Sequence, residues 1–419
     1  MRRSLGSSLR PPLWGLLILL GSLLWAGCAG DYVARTRAIR EAYEAEDYPR
    51  ALEWLADEGQ EGLPNDRLLV LLDEGMVLHA AGRWEESIQV LAKADRLSQE
   101  LDGISIREEA GVLLSNERQR AYRGEDFEKL MVSVLQALNY AQLGKDEDAL
   151  VEVRRVNERL RKMIVEEKKP YEQLAIARYL GGILYEDQRE WDSAYIDYAQ
   201  ALELEPRLGP LAEPLLRLAK QTRRDDAYAS LLQRFPGLPH EPLGRGEGQV
   251  VVVVEAGLAP EKESATRPYS PDAVEIITVP RYRDRGSPPA AWVRVGEASQ
   301  GAVVVTSLQQ VAKIHLEDRI GRMLAKQLAG AVVKAGLAAG AGALTKSEEV
   351  GYLTFLLLNV ANEPDLRSWL SLPAEFQLAR FRLPSGRHTV DVDLGGRVTS
   401  REVEVRPGRI SLVVMRRYY

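Results

Sequence analysis

The sequence predicts an α+β chain: an N-terminal α-helical repeat array followed by a C-terminal antiparallel β-sandwich that carries a helical insertion. Three observations predict it. From residue 31 to about 236, Gly and Pro are sparse and apolar residues recur at helical spacing. A Pro/Gly-dense stretch, Pro236 to Gly248, then interrupts any period. Beyond it, short Val-rich runs alternate with turn-forming dipeptides. The 419 residues suggest two or three domains, and 45% hydrophobic with 28% charged residues exclude global disorder, collagen and a polytopic membrane protein.

The first residues read as an address. Arg2, Arg3 and Arg10 precede an apolar run from Leu13 to Trp25, and Ala26-Gly27-Cys28 follows. A charged start, a short apolar core and small residues at a cut site describe a secretory signal. The run is too short to span about 30 Å of hydrocarbon. The only cysteine of the chain stands at the cut site, so no intramolecular disulfide is available. This arrangement resembles a bacterial lipobox, with Trp25 where that motif prefers Leu. The resemblance implies that Cys28 is diacylated and becomes the first residue of the mature protein. Ala29, rather than an Asp retention signal, implies the outer membrane, facing the periplasm.

The helical half repeats. Tyr48 precedes Ala51 by three residues, Trp84 precedes Ser87, Trp191 precedes Ala194, and Asp146 stands in the aromatic's place before Ala149. Gly75 and Gly182 hold a small position of a first helix, with Leu78, Tyr140 and Tyr185 in its large position. Ala94 and Ala201 are late small residues, and Pro206 is a stop. These marks fit the tetratricopeptide (TPR) pattern. Repeats start near residues 32, 68, 130 and 175, at intervals irregular against about 34 residues. An insertion is expected around 102–129, an extended polar second helix over Leu150 to Lys169, and a capping helical pair over 211–235. Stacked hairpins leave a concave face that suits a peptide or protein.

In the second half, Val250 to Val254 reads as a buried central strand. Val274 to Tyr282, Ala291 to Val295 and Ala302 to Thr306 follow as strands. Ser307 to Leu344 is helical, with Leu308, Val311, Ala312, His315, Ile320 and Met323 on one face, and Val350 to Ala361 is a second helix. Phe376 to Leu383, His388 to Leu394, Arg401 to Val405 and Ile410 to Val414 return to strands. The expected division is 1–27 signal peptide, 28–236 TPR-like domain, 237–248 linker and 249–419 β-rich domain with an insert at about 307–361.

Little in the chain points to chemistry. His79, His240, His315 and His388 are far apart in sequence and form no close-spaced ligand motif. Gly340 to Ser347 imitates a phosphate loop, but Thr345 replaces the required glycine and no strand precedes it. Gly336 and Gly340 form a small-residue pair in a stretch interrupted by Lys326, Gln327 and Lys334, which suits packing on the sheet better than lipid. No nucleophile-elbow sequence positions a serine. The charge is divided: residues 28–243 carry 29 basic and 42 acidic residues, whereas 244–419 carry 23 and 19. An acidic helical half suits a basic partner segment. Arg281, Arg283, Arg285, Arg416 and Arg417 mark the basic half.

Several phrases occur in order: Tyr122-Arg-Gly-Glu-Asp-Phe-Glu-Lys129, Ala137-Leu-Asn-Tyr140, Ala177 to Tyr185, Ala194 to Tyr198, Leu316-Glu-Asp-Arg319, Asp365-Leu-Arg-Ser-Trp369 and Leu383-Pro-Ser-Gly386. Together they resemble a family of bacterial TPR-containing lipoproteins. The resemblance implies an envelope location, a helical repeat joined to a β-rich tail, and no established reaction. Within these phrases Glu125, Asp126, Asn139 and Arg178 are candidate partner-binding residues, with helix capping as the alternative for Asp126. The expected protein is an envelope lipoprotein, not an enzyme, without a cofactor. Its expected partners are an envelope protein or peptide and, through Cys28, the membrane, but no nucleic acid. A periplasmic enzyme acting on a cell-wall polymer, or a scaffold binding through the β domain, is the alternative.

Overall fold

The computed structural model describes residues 32–108, 120–171, 173–268, 276–283, 285–322 and 364–418. A turn of helix at Tyr32–Arg35 leads into five helical pairs. They are α1 (Arg37–Glu44) with α2 (Tyr48–Glu61), α3 (Arg67–Ala80) with α4 (Trp84–Glu108), and α5 (Asp126–Gln142) with α6 (Asp146–Arg161). Next come α7 (Ala175–Asp187) with α8 (Trp191–Leu204), and α9 (Ala212–Gln221) with α10 (Asp225–Arg234).

All five pairs turn in the same way. Two places before each second helix stands a residue in the left-handed region: Glu46 (φ 62°), Gly82 (72°), Gly144 (68°), Arg189 (66°) and Arg223 (56°). Tyr48, Trp84, Asp146 and Trp191 open the second helices of the first four pairs, and Ala51, Ser87, Ala149 and Ala194, three places on, are fully buried. Small side chains there let the paired helices approach. The repeat half is TPR-like. α6 ends at Arg161 in a π turn, Lys162–Glu166, so the second helix expected to reach Lys169 stops short.

The other half contains ten strands among the described residues: β1 (Glu247–Ala256), β2 (Lys262–Pro268), β3 (Ile276–Tyr282), β4 (Trp292–Val295), β5 (Ala298–Gly301), β6 (Val303–Ser307), β7 (Glu375–Pro384), β8 (Gly386–Leu394), β9 (Arg397–Val405) and β10 (Ile410–Arg417). One sheet has the order β10-β1-β7-β6, the second β5-β4-β8-β9, and β2-β3 form a separate ribbon. β1 runs antiparallel to β7 but parallel to β10, from Gln249 opposite Ile410 to Ala256 opposite Arg417. The antiparallel expectation is thereby corrected: the first sheet is mixed. Alternation along a strand reports which face is buried, not which way a distant neighbour runs. The strand expected at Val274 to Tyr282 likewise belongs to the ribbon, paired with β2, a strand the sequence reading missed.

The sheets and helices form three layers. Val250, Val252 and Val254 of β1 share a core with Val293, Val390, Val392, Leu394 and Val405 of the second sheet. Val251 and Val253, on the opposite face of β1, join the core of the helical array. Both faces of the valine run are thus buried, as a central strand requires. A helix at 308–322 follows β6 and buries Leu308, Ala312, His315, Leu316 and Ile320. The rest of the expected insert, from Met323 through the Ala/Gly-rich stretch and Val350 to Ala361, lies outside the described residues. Among the described residues no helix is long and apolar enough to cross a membrane.

Gly182 tests the close approach of α7 and α8. A Cβ there would stand 2.3 Å from the Tyr198 ring. Gly182→Ala should destabilise the fold by about 1–3 kcal/mol, as overpacking does. Gly103, in α4, meets nothing within 4 Å, so Gly103→Ala should stabilise by about 0.5–1 kcal/mol. Denaturant unfolding of both variants checks the pair of signs.

Candidate functional site

The first helices of the pairs face the mixed sheet, and polar side chains bridge the two. Tyr43 in α1 accepts from Arg416 Nε at 3.0 Å and donates to the Ser371 carbonyl. His79 in α3 places Nε2 3.0 Å from Glu255 Oε1 of β1. Gln142 in α5 donates to the Leu412 carbonyl, and the Ile176 N–H in α7 donates to Thr306 Oγ1. Arg380 of β7 reaches Glu186 at 2.7 Å and the Tyr198 hydroxyl at 2.9 Å. The irregular segment 364–374 lies in the same groove. Arg367 pairs with Asp66, the Trp369 N–H donates to Glu128, and Ser371 bonds Asp73. The concave face that a repeat array offers to a partner is therefore filled by the chain's own second half.

Among the described residues, a polar cleft opens beside this contact. It measures about 390 Å³, and its lining includes Arg120, Glu125, Lys129, Tyr171, His315 and Arg322. The backbone turns into the cleft at Gly124, whose φ of 81° suits glycine. The chain then enters α5, where the Glu128 carboxylate accepts from the Glu125 N–H at 2.9 Å. Glu125, not Asp126, is the N-cap. Its carboxylate is held between Lys262 Nζ of β2 and Arg319 of the 308–322 helix. Asp126 accepts from Lys169 Nζ at 2.7 Å and the Tyr171 hydroxyl at 2.9 Å. The His315 ring stacks on Tyr171 with centroids 3.6 Å apart, and its Nδ1 is buried without a partner. Three of the phrases that carry the family resemblance, 122–129, 316–319 and 365–369, contribute residues to this cleft.

The charges here are fixed in place. Burial opposes ionisation of Glu125, but Arg319 and Lys262 outweigh it and hold the carboxyl well below the usual range. Burial also pushes Asp126 up, and the hydrogen bonds of Lys169 and Tyr171 leave it below its ordinary value. A carboxylate locked in its ionised form is a poor general acid. Burial pulls the His315 imidazole down to about 4 against the pull of Asp126 and Glu125, so the ring is neutral at pH 7. No serine, threonine or cysteine is among the described lining residues. What the cleft offers is recognition by fixed charges of both signs and a stacked aromatic pair.

The candidate residues of the sequence therefore separate. Glu125 and Asp126 come together in the cleft. Asn139 does not face a partner: it is fully buried, accepts from His79 Nδ1 at 2.6 Å and donates to Ser87 Oγ at 2.9 Å. A small polar side chain on a first helix is used here to hold its own second helix and His79. Arg178 pairs with Asp197 of α8 at 2.9 Å, away from the cleft. Cys28 lies outside the described residues. Arg281, Arg283 and Arg285 pair with Glu263 and Glu261, and Arg416 and Arg417 are buried rather than presented to a headgroup. The sequence reading missed Lys262, Tyr171 and Arg367. Lys262 sits in Glu261-Lys262-Glu263, which reads as a solvated charge run, yet its side chain is completely buried.

No protein-family model matches this chain, and no curated protein does. Among solved structures, a tetratricopeptide repeat protein from Parabacteroides merdae ATCC 43184 is 18% identical, with a TM-score of 0.33, over 49% of this chain and 67% of that one. MamA from Desulfovibrio magneticus RS-1 is 15% identical, with a TM-score of 0.32, over 48% of this chain and 89% of that one. At such identities and scores these likenesses carry no argument about function. The repeat assignment rests instead on the five pairs and their common turn.

His315 predicts a pH dependence. In the unfolded chain the ring titrates at about 6.5, and in the fold at about 4. Between those values the unfolded chain binds a proton that the folded chain does not. Stability is therefore full above pH 6.5 and falls through the window, by up to about 3 kcal/mol. His315→Phe keeps the stack on Tyr171 and should remove this slope. Unfolding free energies of both proteins between pH 7 and 4 decide it; equal slopes would reject the assignment.

Proposed function

We propose that this chain is a lipid-anchored envelope lipoprotein that acts as a protein–protein interaction or scaffold module, contacting its partner at the charged cleft beside Glu125. The observation that carries the reading is the division of surfaces. The concave repeat face is taken by the mixed sheet and the 364–374 segment, whereas the cleft keeps a volume of about 390 Å³ lined by charges of both signs. Fixed, paired charges suit a polar protein segment that exchanges partners with them. They suit an apolar small molecule poorly, and the locked carboxylates weigh against wall-polymer hydrolysis by acid–base catalysis. The signal-like start, with Cys28 at its cut site, supports an acyl anchor in the outer membrane, facing the periplasm.

Photo-crosslinking in living envelopes tests the contact. A photoreactive residue at position 121, on the cleft, should give a discrete adduct with one envelope protein. The same residue at position 196, where Ile196 is exposed on α8, should not. Adducts at both positions, or at neither, would defeat the proposal. Mass spectrometry of the mature N-terminus should find a diacylated Cys28. An unmodified cysteine, or cleavage elsewhere, would remove the anchor from the reading.

A further inference from the structure

A second cavity, of about 260 Å³, shares no described lining residue with the cleft beside Glu125. It opens where the turns of the first two helical pairs meet β9 and β10, the edge strands of the two sheets. Glu46 and Tyr48 come from the first turn, His79 and Trp84 from the second, and Thr399, Arg401, Arg416 and Arg417 from the strands.

Its charges do not balance. Three guanidiniums line it against one carboxylate, Glu46. Arg417 pairs with Glu46 at 2.9 Å, but its Nε is buried without a partner. Arg416 spends its donors on neutral acceptors, the Tyr43 hydroxyl and the Glu255 carbonyl among them. Arg401 donates to the Val414 carbonyl at 3.0 Å and lies over the Trp84 ring at 5.6 Å. Among the described residues it meets no carboxylate. Burial alone pulls its guanidinium below the ordinary value, with no opposite charge to hold it up. Glu255, behind the wall, bonds His79 through Oε1, leaves its buried Oε2 without a hydrogen-bond partner and acts as a counter-charge to Arg416, not to Arg401. A half-buried guanidinium without a counter-charge is costly in an interior and well placed for an oxyanion, since its fork matches two parallel oxygens.

We propose that this cavity is a binding site for a small organic carboxylate, its oxygens on Arg401 and Thr399 and its body against Trp84 and Tyr48. Thr399 and Arg401 are two residues apart on β9 and so share a face of the strand. The aromatic walls favour a carboxylate carried on an organic body over inorganic phosphate, which has none. The volume falls just below the roughly 300–1,000 Å³ of usual small-molecule sites, which limits the ligand to a small acid.

Isothermal titration of the full chain in detergent, with sodium benzoate and inorganic phosphate against a constant chloride background, tests the site. Benzoate should bind saturably at one site, with phosphate at least tenfold weaker. Arg401→Leu should weaken benzoate by about tenfold or more, as loss of a charge-assisted hydrogen bond does. Arg401→Lys, which keeps the charge and loses the fork, should fall between. If circular dichroism shows that the Arg401 variants do not fold, Thr399→Val decides, with an expected loss of several-fold. The proposal is overturned by the absence of saturable benzoate binding or by phosphate binding as tightly as benzoate. Unchanged affinity in a folded Arg401→Leu, or in Thr399→Val where that variant decides, overturns it as well.

Discussion

The structure depends on one strand having two insides. β1 sends alternate valines into two cores, one shared with the second sheet and one shared with the helices. Each fully buried valine contributes on the order of 1.5–3 kcal/mol over an exposed one. Neither the helical array nor the outer sheet can therefore be lifted off without exposing a row of them. The helical array, the mixed sheet and the second sheet meet as three layers through these two cores. The β-rich half is seated where a repeat protein ordinarily seats a guest.

The seat is marked by polar bridges rather than by apolar area alone. Asp66 with Arg367, Glu125 with Lys262 and Glu186 with Arg380 each join a helix to the second half, and all six side chains are nearly or wholly buried. Such pairs add little net stability, but breaking one by removing a partner strands a charge and costs about 3–5 kcal/mol. Any shifted docking of sheet on helices would strand several at once. These bridges thus restrict the arrangement to one register, while the valines supply the cohesion.

Much of the fold was legible and little of the site was. The aromatic-to-small spacing at Tyr48–Ala51, Trp84–Ser87 and Trp191–Ala194 found the helix junctions because a shared turn imposes it locally. The five valines announced a central strand for the same local reason. The parallel β1–β10 pair was invisible, since about 160 residues separate the partners and no local pattern encodes direction. The site followed that rule. Glu125 and Asp126 stood out within one phrase, but Lys262, Tyr171 and His315 reach them from other elements. Asn139, a candidate partner contact as part of the phrase Ala137 to Tyr140, is fully buried. Its role is internal, holding His79 against the sheet.

The parallel pairing of β1 with β10 also orders events in time. A chain made from its N-terminus delivers the helical array and β1 well before residues 410–417. Until that final strand arrives, β1 lacks one neighbour, and the apolar face of the array has no complete cover. Contacts this distant in sequence form late, and surfaces awaiting them are prone to wrong associations. β10 is thus the closing stitch of the mixed sheet. Without β10, one edge of β1 would stand unpaired, and Val413 and Val414 would be missing from the two cores that β1 joins.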